Sequence, residues 1–328
     1  MNLVNEETNN YSLVAGQLRS ARRVLAITHL SPDGDALGSL CFFKELVDKL
    51  DKECLMYCAG PLPMNLGFLN CWQSIITDKT KLNLADFDLI VSLDCATPSR
   101  TNLEAEIFNR RQDQIFLEID HHPSNRKLSD IELRVSEAAA TTEILFKLAS
   151  FMELEVSPSM AQALLTGIVT DTGHFIYDSA TNETIAAAAS IITRGASLLK
   201  IANSTTKTKT LGGLRVWGIA LSRLTHNKKL GLIYTVLTEA DFKEHNADES
   251  VIDGISGFLS SLNEARIVMV LYESNGLIRG SLRAIDKTVD VARLARVFGG
   301  GGHVLASGFT IKGTLAFING SWQVETAK

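Results

Sequence analysis

The chain has 328 residues, enough for about two domains of ordinary size, each with room for a real hydrophobic core. Its 45% apolar and 21% charged residues exclude intrinsic disorder, a collagen repeat and a disulfide-stapled miniprotein. The net charge of −5 is too mild for nonspecific nucleic-acid binding, but it is unevenly spread: residues 1–200 hold 17 Lys and Arg against 26 Asp and Glu, and residues 211–328 hold 13 against 11.

An acidic first half that handled anionic substrates would need cations of another kind. That points to metals there and to Arg or Lys in the second half. The polar start MNLVNEETNN and the lack of about 18 consecutive apolar residues predict neither a signal peptide nor a membrane span, hence a cytoplasmic protein. Cysteines at 41, 54, 58, 71 and 95 are odd in number, which predicts reduced thiols. Cys54 and Cys58 have no second Cys or His pair nearby and read as packing residues.

In chain order, VLAITH (24–29) is a short apolar strand that breaks at Ser31-Pro32-Asp33-Gly34. Leu37, Leu40, Phe43, Val47 and Leu50 then recur at helical spacing. The strand pattern returns at 87–94 and 115–120, each ending in an aspartate, which predicts a mostly parallel sheet with helices on both faces. Ser157-Pro158 opens a helix that runs toward Asp171, and Thr181 caps another that stops at Gly195. The aperiodic stretch IANSTTKTKT (201–210) reads as a linker between a first domain, 1–200, and a second, 211–328. The second reads as a smaller mixed α/β domain: a helix from 211, strands at 230–237 and 265–273, a hairpin turn at Ser274-Asn275-Gly276 into 277–284, and a helix at 290–298 that runs into Gly299–Gly302 and His303.

Ligands of open α/β sheets sit outside the carboxyl ends of the strands. The first such end supplies His29, Asp33 and Asp35; the second, Asp94; the third, Asp120, His121 and His122. Taken singly, Asp33-Gly34-Asp35 is more often a turn or helix cap, and a lone Asp or His a strand-end residue. Their coincidence at one edge points to a site, and the i, i+2 aspartates could serve two adjacent metal positions. In the second half, Arg279, Ser281 and Arg283 alternate on one strand and share a face. Glycines let backbone N–H groups approach a phosphate closely, so Gly300, Gly301 and Gly302 with His303 complete a candidate phosphate clamp, although a hinge or helix stop would look the same.

The motifs THLSPDGDALGS, SLDCATPSR, IDHHPSN, LLTGIVTDTGHF and FGGGGHVLASGF, in this order, resemble those of the DHH phosphoesterase family with its C-terminal DHHA1 domain. Within it the chain looks most like the stand-alone nanoRNases, which are oligoribonucleases and 3′-phosphoadenosine 5′-phosphate phosphatases. The resemblance implies two lobes with the active site in the cleft between them. It also implies that His29 and Asp33 bind one Mn2+, that Asp35, His121 and Asp171 bind the other, and that Asp94 bridges them, with Mg2+ or Co2+ as substitutes. His122 would then hydrogen-bond a phosphoryl or leaving oxygen and Asp120 would orient the histidines; sequence spacing does not decide which histidine ligates. His174 and Val304-Leu305 depart from the family pattern and bear on substrate preference.

The expected function is Mn2+-dependent hydrolysis of short oligoribonucleotides to mononucleotides, and of 3′-phosphoadenosine 5′-phosphate, by a metal-activated water. Aromatics at 7% with no basic-aromatic run argue against a long-strand exonuclease of the RecJ type. Alternative readings are a phosphodiesterase for cyclic or linear dinucleotides, a pyro- or polyphosphatase, or a nucleotide-binding regulatory module without turnover. The expected partners are short RNA or small nucleotides, with no duplex and no membrane; a homodimer is compatible.

Overall fold

The structure, a computed structural model, describes residues 2–124, 127–205, 210–252 and 254–325. It divides between residues 208 and 209 into two compact units. The first contains α1 (Asn2–Ser20), β1 (Arg23–Thr28), α2 (Gly34–Asp48), β2 (Glu53–Cys58), β3 (Leu89–Leu93), α3 (Glu104–Phe108), β4 (Ile115–Asp120), β5 (Ile131–Arg134), α4 (Thr141–Phe151), α5 (Pro158–Asp171), α6 (Asn182–Thr193) and α7 (Leu198–Thr205).

Its five strands are all parallel, in the order β2-β1-β3-β4-β5. The apolar runs follow from this, since a parallel sheet is covered on both faces. Val24, Ala26, Val91, Leu117 and Ile119 pack into the larger core, whereas Leu25, Ile27, Ile90 and Phe116 pack into a second core on the opposite face. The chain reverses its direction of sheet growth between β1 and β3, so the ends of those two strands flank the crevice where such sheets bind ligands. His29 and Asp94 follow them.

Several elements carry weak sequence signals. The polar N-terminus is helical because Tyr11, Val14, Ala15 and Leu18 form one buried stripe. β2 and β5 are short edge strands, and α4 buries most of its length. The reduced-thiol expectation is corrected: Cys41 and Cys71 form a disulfide, with Cα atoms 5.5 Å apart, while Cys54, Cys58 and Cys95 are free and buried. That pairing depends on the fold, which brings together residues 30 apart in the chain. The stretch read as a linker is helical as far as Thr205, with Ile201 fully buried; residues 206–209 lie outside those described, as do Asn125 and Arg126 beside the HH pair.

The second unit contains α8 (Leu211–Ser222), β6 (Thr225–Asn227), β7 (Leu232–Leu237), α9 (Glu239–Glu244), α10 (Ile255–Leu259), β8 (Ile267–Ser274), β9 (Leu277–Ala284), α11 (Val291–Val297), β10 (Gly301–Gly302), β11 (Ala306–Lys312), β12 (Thr314–Ile318) and β13 (Ser321–Glu325). A mixed sheet runs β10-β11-β9-β8-β7-β6, with β7 and β8 its parallel pair, and β12-β13 form a separate hairpin. Asn275 and Gly276, at φ of 52° and 71°, make the two-residue turn expected between β8 and β9. Among the described residues no single helix is long and apolar enough to cross a membrane; α6 and α7 reach the required composition only together, across a 108° bend.

Close approach of α2, α4 and α5 sets the floor of the first unit's polar edge. A Cβ on Gly167 would collide with the side chains of Asp35 and Thr142, whereas one on Gly16 of α1 would meet nothing. Gly167→Ala is therefore expected to destabilise the protein by about 1–3 kcal/mol through overpacking. Gly16→Ala should stabilise it by about 0.5–1 kcal/mol. Urea unfolding of the two variants beside the parent measures both.

Candidate metal centre

His29 directly follows β1 and is 3% exposed. Its Nδ1–H donates to the Leu30 carbonyl at 2.9 Å, so the lone pair sits on Nε2, 3.7 Å from Asp94 Oδ2 and 4.0 Å from Asp33 Oδ2. Asp33 is the N-cap of α2: its Oδ1 accepts the amides of Asp35 at 3.0 Å and Ala36 at 3.1 Å, and its second oxygen faces His29. The cap reading and the ligand reading thus hold at once, one oxygen for each. Gly34 has to be glycine because any Cβ there would run into Thr170. Asp35 is fully buried and accepts the Thr141 amide at 2.6 Å, the Thr142 amide at 3.0 Å and the Thr142 hydroxyl at 2.7 Å, so the first turn of α4 fixes where its carboxyl points.

Asp94 follows β3 in a left-handed conformation, φ 58°, which costs about 1–2 kcal/mol for a residue with a Cβ. This turn aims its carboxylate two ways. Oδ2 faces His29, while Oδ1 lies 3.6 Å from His121 Nε2 and 3.3 Å from His122 Nδ1. At the end of β4, Asp120 accepts the His122 amide and Nδ1–H, both at 2.8 Å, on one oxygen and the Ala96 amide at 2.6 Å on the other. His121 Nδ1–H donates to the Ala138 carbonyl at 3.3 Å, so its Nε2 is the nitrogen that meets Asp94 and, at 3.2 Å, Asp171 Oδ2 at the end of α5.

Three donor sets result, each with its atoms within 4.8 Å of one another: His29–Asp33–Asp94, Asp35–His121–Asp171 and Asp94–His121–His122. All six residues expected as ligands converge, together with His122.

The electrostatics show what this arrangement lacks. Burial disfavours the Asp94 charge, yet the adjacent imidazoles, His122 first and then His29, outweigh it and hold the carboxyl below the usual range. Burial pushes Asp35 and Asp171 well above that range, and neighbouring carboxylates, Asp94 for the former and Asp35 for the latter, push further. Burial lowers His121; it opposes the charge on His122 too, but the Asp120 and Asp94 hydrogen bonds raise that imidazole to about 10. The cluster holds more negative charge than its imidazoles offset, and its mixed nitrogen and oxygen donors fit divalent transition metals.

In the second unit, a cavity of about 590 Å3 is lined by Arg279, Ser281, Arg283 and the Gly299–Gly302 run, with Tyr272 and Phe309. The alternation along β9 holds, since Ile278, Gly280 and Leu282 are buried between the three polar residues. Gly299, at φ 74°, ends α11, with the Gly300 amide reaching back to the Ala295 carbonyl; Gly301 and Gly302 then pair with β11. His303 is not among the lining residues: its backbone exchanges two hydrogen bonds with Ala306 at the β10–β11 turn. His174 lies in a left-handed turn, its Nε2 3.2 Å from Thr205 Oγ1. Sequence reasoning missed Thr141 and Thr142, for which the one available signal was a Thr pair opening an apolar run.

Metal removal has a pH signature. The folded-state pKa values of Asp35, Asp171 and His122 are raised; the lowered His121 acts the other way only near its ordinary value, so above it the metal-free folded chain binds more protons than the unfolded chain and loses stability as pH rises. For His122 the loss runs from 6.5 to about 10. The melting temperature of chelator-treated protein should fall on going from about pH 6 to about pH 8, and Mn2+ should abolish the fall.

Residues 23–168 match the model of the DHH family, N-terminal domain, and residues 229–319 that of the DHHA1 domain. The bifunctional oligoribonuclease and PAP phosphatase NrnA of Thermus thermophilus is 28% identical over 303 residues, 92% of this chain and 88% of its own length. The crystal structure of an exopolyphosphatase-related protein from Bacteroides fragilis superposes with a TM-score of 0.86 at 25% identity, covering 93% of this chain and 92% of that one. RecJ of Thermus thermophilus in complex with Mn2+ shares the fold, with a TM-score of 0.52 at 12% identity over 93% of this chain and 52% of its own. The chain, with its two matched domains, belongs to the DHH family of phosphoester hydrolases and carries a DHHA1 domain as its second part.

Proposed function

We propose that this chain hydrolyses short oligoribonucleotides to mononucleotides and removes a phosphate from 3′-phosphoadenosine 5′-phosphate, using two divalent cations, Mn2+ by preference. The observation that carries the reading is the double donor set around Asp94: His29 and Asp33 on one side, Asp35, His121 and Asp171 on the other. The NrnA relatives, named for both activities, support the substrate class. His29 and Asp33 would hold one ion, Asp35, His121 and Asp171 the second, and Asp94 would share its oxygens between them. Bound there, the cations supply charge neutralisation at the phosphoryl oxygens and acidify water.

The residues of the chain do the rest. Hydrogen bonds to the Leu30 and Ala138 carbonyls fix the two histidine tautomers that present Nε2. His122, carrying a proton at neutral pH, offers a hydrogen bond to a phosphoryl or leaving oxygen, while Asp120 holds its ring. In the second unit Arg279, Ser281 and Arg283 would hold a terminal phosphate, with Gly300, Gly301 and Gly302 leaving room for its close approach and His303 beside them at the turn. A clamp that fixes one terminal phosphate at a set place favours short substrates. Polyphosphate is a second reading, favoured by the name of the Bacteroides fragilis relative.

Metal-stripped protein should cleave a labelled trinucleotide and the adenosine bisphosphate only when Mn2+ is restored, with a 20-residue RNA and tripolyphosphate left largely intact. Inactivity on both small substrates in saturating Mn2+ would overturn the reading. Asp94→Asn should lose more than about a hundredfold in kcat while keeping its circular dichroism spectrum. Arg283→Ala is expected to raise KM roughly tenfold with kcat little changed, as for loss of one charge-assisted hydrogen bond. Steady-state kinetics on the trinucleotide separates the two effects.

A further inference from the structure

β5 contributes nothing to the donor sets, yet it carries a buried cation beside them. Arg134 pairs in register with Asp120, and its side chain is 9% exposed. Its guanidinium has four neighbours. Nε donates to Glu132 Oε1 at 2.6 Å; Nη2 lies 3.9 Å from Glu118 Oε1; Nη1 donates to the His122 carbonyl at 2.5 Å and lies 3.6 Å from Asp120 Oδ2. One nitrogen thus touches both fixed points of the corner that turns from β4 into the HH pair. Of the other two, Nε is anchored on Glu132, and Nη2 faces Glu118, which is 2% exposed in the middle of β4, at ion-pair distance.

We propose that Arg134 is a positioning residue: by bridging the Asp120 carboxylate and the His122 backbone from the neighbouring strand, it fixes the orientation in which Asp120 holds the His122 ring toward Asp94. Desolvating a guanidinium and two carboxylates is costly, and the pairs alone would not repay it relative to apolar packing. The forked geometry is what a lysine cannot reproduce, since several planar N–H groups reach divergent acceptors simultaneously. Glu118 and Glu132 fix the near side of the fork, so the far side is held in register with the corner. Among the described residues, the Asp120 carboxylate otherwise accepts from the Ala96 amide and from His122 itself. Ligand-orienting groups of this kind are worth roughly 10- to 100-fold in activity.

The kinetic part of this inference rests on the phosphoesterase reading; the spectroscopic part does not. In chelator-treated protein, the His122 Nδ1–H bonded to Asp120 should give a downfield, slowly exchanging proton resonance, assigned by its loss in His122→Gln. That resonance should vanish in Arg134→Met and weaken in Arg134→Lys. Because Arg134→Met leaves Glu118 buried without its cation, the double variant Glu118→Gln/Arg134→Met is made alongside as the version that folds. With Mn2+ and trinucleotide, both variants should lose roughly 10- to 100-fold in kcat with KM within about threefold, and Arg134→Met should add no further loss in a His122→Ala background. A folded variant that keeps the resonance, or a kcat loss that adds fully to that of His122→Ala, overturns the proposal. A wild type with the resonance but no turnover overturns the function reading and leaves the positioning role standing.

Discussion

The Asp94 carboxylate sits between two groups of donors, with His29 on one oxygen and His121 and His122 on the other, and nearly everything else at this edge is arranged around that contact. Its left-handed backbone turns the side chain back over the ends of the flanking strands, where an extended continuation of β3 would carry it past them. Burial works against the charge and the imidazoles restore it, so the carboxylate stays ionised inside the protein. The cost falls on its neighbours: Asp35 and Asp171 cannot ionise readily beside it without further positive charge.

That tension explains the construction of the first unit. Asp35 is reached by the first amides of α4, and Gly34 and Gly167 remove the side chains that would hold α2 and α5 apart. Each histidine has its tautomer set by a main-chain carbonyl or a carboxylate, so the ring nitrogens that face the acids are chosen by the fold. The second unit solves a different problem with different residues. There the charge is positive, the cavity is floored by glycines, and Gly280 and Gly300 lie so close to Phe309 that no Cβ fits.

Residue type at the strand ends and the charge balance of the two halves are both legible without knowing which segments meet in space. Asp33 illustrates their limit. A turn residue, a helix cap and a ligand look alike in sequence, and here one carboxylate divides its oxygens between capping α2 and facing His29. The glycine run behaves in the same way: Gly299 stops α11, and the next three residues line the cavity and enter the sheet.

What the sequence by itself determined was the alternation of strands and helices, the acid and imidazole residues at the strand ends, and the shared face of Arg279, Ser281 and Arg283. Hydrophobic period and turn chemistry are short-range properties, readable without a partner. Only the tertiary structure decided that α1 buries its one stripe, that Cys41 meets Cys71, that His303 stays out of the cavity lining, and that Arg134 on an edge strand reaches Asp120. Each of those depends on which segments become neighbours across the sheet or between helices. Strand order and helix packing set that, through contacts between residues tens of positions apart, and no local pattern encodes it.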